Sequence, residues 1–249
     1  MNATEREPQR TVILTGASRG IGHATVKRFS SAGWRVITCS RMPFSEYCPW
    51  EAGPEDHIQV DLGDPDNLNA AIGEMRERLQ GNELHALVNN AGTSPKMDDG
   101  GRLNSLDTTR DEWQRVFAVN FFAPIMLAKG MVNELKRGKG SVDNVTSIAG
   151  GRVHPYAGAA YSTSKAALAA LTREMANDFG PMGIRVNSIA PGEIDTAMLS
   201  PGTDEIVEGL PLKRIGEPEE VASMIYVLCT QPSSYVTGAE IHINGGQHI

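Results

Sequence analysis

Tyr161 and Lys165 stand four residues apart in Tyr161-Ser162-Thr163-Ser164-Lys165, at the head of the apolar run Ala166-Ala167-Leu168-Ala169-Ala170-Leu171. Alanine and leucine without Gly or Pro predict a buried helix. A helix brings the two side chains onto one face, one turn apart. The chemistry such a pair can do is proton transfer. A free phenol, with a pKa of about 10, is a poor acid near neutrality. A neighbouring ammonium stabilises the phenolate and lowers that pKa, into the range where general acid–base work is efficient. Ser147 precedes Tyr161 by 161 − 147 = 14 positions, enough for a loop that folds its hydroxyl back over the phenol. Asn120 is a lone amide within Val116-Phe117-Ala118-Val119-Asn120-Phe121-Phe122. Such a group is either a satisfied core side chain or the seat of a bound water.

The elements that must position these groups read as alternating strands and helices. Thr11-Val12-Ile13-Leu14-Thr15 is a short β-branched strand, followed by Gly16-Ala17-Ser18-Arg19-Gly20-Ile21-Gly22 and a helix that stops at Gly33. Strand, glycine turn and helix form the first unit of an α/β doubly wound parallel sheet. Gly16 allows a tight turn, Gly20 a close backbone approach, and Gly22 close packing of helix on strand. The helix N-terminus then offers free N–H groups and a positive dipole end to a pyrophosphate. The second strand, Trp34 to Cys39, ends at Ser40-Arg41, where an NAD-binding unit commonly carries a carboxylate for the ribose 2′-hydroxyl. A guanidinium instead favours a 2′-phosphate. Ser40, Arg41 and Arg19 therefore point to NADP(H) rather than NAD(H).

Further strands are expected at His57 to Leu62, Leu84 to Val88, Ser141 to Thr146, Ile184 to Ala190 and Ala239 to Ile243. Helices are expected from about Pro65 to Leu79, Asp111 to about Leu135, Tyr161 to Phe179 and Glu217 to Leu228. Asp61 lies at a strand's carboxyl end, where ligands bind in such sheets. It either accepts from an adenine amino group or, like Asp64, caps the following turn. Asp143 is out of character for a central parallel strand and is expected near that strand's exposed start. The segment Met42 to Asp56, rich in Pro and aromatic residues, leaves room for at most a short crossover helix. Residues 194 to about 214, broken by Pro and Gly, read as a lid beside a cleft.

With 249 residues and no repeat or linker composition, one domain over 1–249 is expected. The formal net charge of −7 argues against a nucleic-acid partner and gives no reason to expect an anionic membrane. The polar start lacks the apolar core of a signal peptide, and no apolar run approaches the ~20 residues that span a bilayer. Cys39, Cys48 and Cys229 have no metal-ligand spacing and cannot all pair. Reduced thiols in a cytoplasmic protein, with no metal site, are the expectation, Cys39 being a small core residue.

Taken together, the residues resemble the short-chain dehydrogenase/reductases over nearly the whole chain. Thr15 to Gly22, Asn89-Asn90-Ala91-Gly92, Asn120, Ser147, Tyr161-x-x-x-Lys165 and Pro191-Gly192 fall in that family's order and spacing. Arg214 to Ala222 and Thr237 to Gly246 look most like the 3-oxoacyl-carrier-protein reductases, although many relatives of other specificity share those ends. The resemblance implies a Rossmann fold and hydride transfer between nicotinamide C4 and a carbonyl carbon. Tyr161 is then the acid for reduction, and Lys165 lowers its pKa and holds the nicotinamide ribose. Ser147 hydrogen-bonds the carbonyl oxygen, and Asn120 places a relay water.

It further implies that Gly16, Ser18, Arg19, Gly20, Ile21, Ser40, Arg41, Asp61, Leu62, Asn89, Ala91 and Gly92 line the cofactor with Tyr161, Lys165, Pro191 and Gly192. Ile194 and Thr196 then hold the carboxamide. By their place in the chain between Ser147 and Tyr161, His154 and Tyr156 are candidates to touch substrate with those two residues. Three readings follow. They are an NADP(H)-dependent carbonyl reductase (a 3-oxoacyl thioester being one substrate class), an NAD-linked alcohol or sugar dehydrogenase, and a dinucleotide sensor without catalysis. Against the sensor stands the intact set of Asn120, Ser147, Tyr161 and Lys165. For an acyl-carrier partner, Lys136, Arg137, Lys139 and Arg173 are the candidate contacts, solvated helix ends being the alternative. A homotetramer is implied, built through the helices around Asn120 and Tyr161 and through the last strand.

Overall fold

Each strand of the sheet sends alternate side chains to opposite faces, and two separate cores result. In the computed structural model, which describes residues 9–44, 53–200 and 202–249, seven parallel strands lie in the order β3-β2-β1-β4-β5-β6-β7. They are β1 (Thr11–Thr15), β2 (Arg35–Ser40), β3 (His57–Gln59), β4 (Ala86–Asn89), β5 (Ser141–Val145), β6 (Arg185–Pro191) and β7 (Glu240–Ile243). Ile13, Ile37, Leu87, Val142 and Val186 face α2 (Pro65–Leu79), α4 (Ala123–Gly130) and the long α6 (Ala159–Phe179), meeting Met75, Leu127 and Met175. Val12, Leu14, Val36, Val88 and Ile189 face α1 (Gly20–Ser30) and α8 (Pro218–Leu228), meeting Phe29, Val221 and Ile225. This is the doubly wound Rossmann-type fold expected from the sequence. Its strand order reverses between β1 and β4, so a crevice opens at their carboxyl ends.

Local signals set most boundaries. Asp64 accepts from the N–H groups of Asp66 and Asn67, at 2.8 and 2.9 Å, and Pro65 opens α2. Thr109 and Glu112 form a capping box at the start of α3 (Arg110–Phe117). The helix expected from Asp111 to about Leu135 is not continuous. It runs as α3, a π-turn at Ala118–Phe122, α4, and then α5 (Val132–Gly138). No single described helix is long and apolar enough to cross a membrane. The segment expected to form a lid contributes α7 (Thr203–Gly209).

Asp143 corrects an expectation. It is 1 % exposed in the middle of β5, not at an open strand start. Its Oδ2 accepts from Cys229 Sγ at 2.9 Å and Ser141 Oγ at 3.3 Å, while Oδ1 is buried without a partner. Burial pushes the carboxyl up to about 6, against the pull of the Cys229 thiol, the Arg185 charge and the Ser141 hydroxyl. Cys39 and Cys229 are both free and buried. Cys48 and most of the aromatic-rich stretch from Met42 lie outside the described residues. A single 3₁₀ turn at Pro54–Asp56 precedes β3, so no crossover helix is seen among the described residues between β2 and β3.

Candidate active site

The crevice begins with the turn after β1. Gly16 has φ +70° and Gly20 φ +54°, conformations that L side chains rarely adopt. A Cβ on Gly22 would overlap the Gly16 carbonyl oxygen and lie 2.6 Å from Asn90 Nδ2. That amide holds the turn in place, donating to the carbonyl oxygens of Thr15 at 3.1 Å and Gly16 at 3.0 Å. Thr15 Oγ1 in turn accepts from the N–H groups of Asn90 and Ala91, both at 3.1 Å. Arg19, the residue before α1, has an extended backbone and its side chain caps nothing. The first-turn N–H groups therefore face the cavity, beside the positive end of the helix dipole.

One cavity of about 740 Å3 runs from this turn to Tyr161. The sequence placed nineteen of its residues: Gly16, Ser18, Arg19, Gly20, Ile21, Ser40, Arg41, Asp61, Leu62, Ala91, Gly92, Ser147, His154, Tyr161, Lys165, Pro191, Gly192, Ile194 and Thr196 all line it. Asn89 does not. It is buried behind the wall, with Nδ2 donating to Asn144 Oδ1 at 2.9 Å, and ties β4 to β5. Asp61 Oδ1 accepts from the Gly63 N–H at 2.9 Å, so the turn-capping alternative uses this oxygen while the residue still borders the cavity. Arg19 and Arg41 line the cavity with the glycine turn, and neither guanidinium has a partner among the described residues.

At the other end, α6 presents Tyr161 and Lys165 to the same space. Lys165 Nζ lies 5.8 Å from the centroid of the Tyr161 ring and donates to the Val145 carbonyl oxygen at 2.6 Å. It is 3 % exposed, and burial lowers its ammonium pKa to about 8. Burial also dominates at Tyr161 and pushes its phenol up. A hydrogen bond with Ser147 pulls it down, and the Glu193 charge adds to the upward push. The opposing pull resolved at the phenol comes from Ser147, and none of it is traced to Lys165. Ser147 caps a 3₁₀ turn at Ile148–Gly150, its Oγ accepting from the Ala149 N–H at 3.1 Å. That turn packs directly on α6: a Cβ on Gly150 would lie 2.9 Å from the Ala166 nitrogen. The close approach sets the Ser147 hydroxyl beside the phenol.

Asn120 sits in the π-turn, fully buried, off the cavity wall. Its Oδ1 accepts from the Thr93 N–H at 2.8 Å, and Nδ2 donates to the Thr93 carbonyl and to Ser164 Oγ, both at 3.0 Å. The side-chain amide is thus satisfied by protein groups. A π-turn inside a helix is a common mark of a functional site, and this one braces the loop that carries Gly92 past Lys165.

Lys96 and Glu193 line the cavity and were not singled out from sequence. Lys96 Nζ donates to the Tyr156 carbonyl oxygen at 2.6 Å and to Ser200 Oγ at 2.7 Å. Glu193 Oε1 accepts from His154 Nε2 at 2.6 Å and Gln247 Nε2 at 3.2 Å. The Tyr156 N–H donates to His154 Nδ1 at 3.2 Å, so Nε2 is the nitrogen that carries the proton towards Glu193. Burial pushes the Glu193 carboxyl up. The His154 and Gln247 bonds and the nearby charges of His154 and Lys96 outweigh it and hold the pKa below the usual range. These residues come from four separated segments, so no spacing in the chain announces their meeting. Among the described residues, no group of three or more His, Cys, Asp or Glu is placed to hold a metal.

The comparisons agree with this geometry. A family model described as "Enoyl-(Acyl carrier protein) reductase" matches residues 16–248. Protein FixR of Bradyrhizobium diazoefficiens is 61% identical over 247 residues, covering 98% of this chain and 89% of its own length. The 3-oxoacyl-[acyl-carrier-protein] reductase FabG of Aquifex aeolicus is 33% identical over 251 residues, covering 94% and 95%. A crystal structure of a Brucella ovis oxidoreductase of the short chain dehydrogenase/reductase family, in complex with a partially ordered NAD, is 64% identical. It superposes with a TM-score of 0.84, covering 95% of this chain and 100% of that one.

Proposed function

The chain belongs to the short-chain dehydrogenase/reductase family of NAD(P)-dependent oxidoreductases, and from that premise we propose that it reduces a small carbonyl compound to the alcohol with NADPH. The single observation that carries this reading is the shared cavity: Ser147, Tyr161 and Lys165 open onto the space that begins at the Gly16–Gly22 turn. The residues fit a dinucleotide, because side chains at Gly16, Gly20 or Gly22 would clash or strain the turn and α1 directs its free N–H groups at the same space.

When bound, the nicotinamide supplies the hydride that adds to the carbonyl carbon. Tyr161 Oη gives its proton to the carbonyl oxygen, and Ser147 Oγ–H donates to that oxygen as negative charge builds on it. Lys165, held by Val145, keeps a positive charge beside the phenol and favours the phenolate left after transfer. Oxidation of the alcohol runs the same steps backwards.

The preference for NADP(H) is supported by Ser40 and Arg41 standing where a carboxylate would close β2, with Arg19 across from them. NAD(H) is the second reading, favoured by the NAD bound to the Brucella ovis relative. A 3-oxoacyl thioester is supported by the likeness to FabG at 33%. Against an acyl-carrier partner, Lys136, Arg137 and Lys139 lie where α5 leads into the amino end of β5, opposite the carboxyl ends that open on the cavity. Exposed Phe122 and Met126 on the α3–α4 face support the homotetramer.

The test is a panel of ketones, 3-oxoacyl thioesters and sugars, followed by NADPH and NADH absorbance. Steady oxidation of NADPH with at least one carbonyl is the expected result. Tight NADPH binding with no turnover of any member would contradict it.

A further inference from the structure

One wall of the cavity carries charge of both signs. Glu193 and Lys96 both line it, on segments that follow β6 and β4, and each figures among the charges that perturb the other. The Glu193 side chain is 8% exposed. Its Oε1 is fully engaged by His154 and Gln247, whereas Oε2 has no partner among the described residues. Arg152 Nη1 donates to the Gln247 carbonyl at 2.6 Å, so the carboxylate is fixed from behind by a chain of contacts. Lys96 has two of its three N–H groups engaged, by Tyr156 and Ser200, which leaves one for a ligand. Glu193 shares the cavity wall with Ser147, His154 and Tyr161, and its charge acts on the Tyr161 phenol.

Resting on the reductase reading, we propose that Glu193 selects the substrate. Its Oε2 accepts from a hydroxyl neighbouring the reacting carbon, and the preferred substrates are compact polyhydroxylated carbonyls and their alcohols. Net charge decides among polar ligands. An ammonium is drawn to Glu193 and repelled by Lys96, and a carboxylate meets the reverse. A neutral hydroxyl donates to Glu193 and accepts from Lys96 without either penalty. A long acyl chain would strip water from two charged groups and return no hydrogen bond, which is costly. The same wall therefore disfavours fatty thioesters.

The test is ligand-observed NMR titration of the full-length chain, with and without NADPH. The probes are cis-1,2-cyclohexanediol, 2-methoxycyclohexanol, cyclohexanol, cyclohexylamine and cyclohexanecarboxylate. A hydrogen bond to a charged acceptor is worth roughly tenfold or more in affinity. The diol should bind at least about tenfold tighter than cyclohexanol, and blocking one hydroxyl as the methyl ether should remove that margin. In Glu193→Gln the ratio should fall to about threefold or less. The methyl-ether comparison decides the matter in the wild-type chain even where the variant fails to fold.

No measurable diol binding, a ratio unchanged in Glu193→Gln, or a preference for the amine, the acid or cyclohexanol would overturn the proposal. If the diol is selected through Glu193 while no carbonyl is reduced, the reductase reading fails and this inference stands. If ketones are reduced with no diol preference, only this inference fails.

Discussion

The Lys165 ammonium donates a 2.6 Å hydrogen bond to the carbonyl oxygen of Val145, the last residue of β5 and two places before Ser147. One contact thus ties the helix that carries Tyr161 to the strand that delivers the serine. Replacing Lys165 with Met should remove the charge beside the phenol and leave the Val145 carbonyl without its donor. Turnover should fall by about two orders of magnitude or more, with a stability loss of about 1–3 kcal/mol. Steady-state kinetics and thermal unfolding measure the two effects. Lys165→Arg should not restore the rate, because a planar guanidinium does not fit a site shaped for an ammonium.

The pH profile of carbonyl reduction should report the same lysine. Burial lowers its pKa to about 8, so the ammonium is present below that pH and is lost above it. Burial raises the phenol of Tyr161, which keeps the proton donor protonated over that range. The expected result is a kcat/KM that is flat near neutrality and declines above about pH 8. A profile flat to pH 10 would separate Lys165 from the chemistry.

Asp143 gives a stability prediction of definite sign. Its folded pKa, about 6, lies above the ordinary carboxyl value near 3.9. The folded chain therefore binds the proton more tightly than the unfolded chain. The benefit is fully present below about pH 4 and is lost as pH rises through 6. Above that the charged carboxylate costs on the order of 3 kcal/mol. Asp143→Asn should raise the melting temperature at pH 8 and lose its advantage at pH 4. Equal effects at both pH values would show that the carboxyl is not strained.

How much was legible in the chain depended on whether the cause was local. The bounds of α2 are carried by Asp64 and Pro65, adjacent residues with their own hydrogen-bonding logic, and they could be read directly. The break at Ala118–Phe122 could not, since Asn120 is held there by Thr93 and Ser164, far along the chain. Tyr161 and Lys165 sit on one turn, so their meeting is a property of any helix. Glu193, His154, Lys96 and Gln247 meet only after the sheet has assembled, and His154 alone of these was anticipated. Asn89 and Asn90 show the limit most plainly: two adjacent amides look alike in the chain, yet one braces the strands and the other clamps the glycine turn.

Arg41→Asp should reverse the cofactor preference. The variant places a carboxylate at the end of β2, where it repels a 2′-phosphate and accepts from a ribose hydroxyl. The ratio of kcat/KM for NADPH over NADH should fall by at least about tenfold. An unchanged ratio would mean that Arg41 does not read the phosphate.

The most direct test of the account is Tyr161→Phe, read as a single-turnover rate of NADPH oxidation beside the NADPH dissociation constant. The phenyl ring fills the same space but has no hydrogen to give. The account predicts a rate reduced by about three orders of magnitude or more, with cofactor affinity within about threefold of the wild type. Hydride transfer surviving in that variant within tenfold of wild type would contradict it.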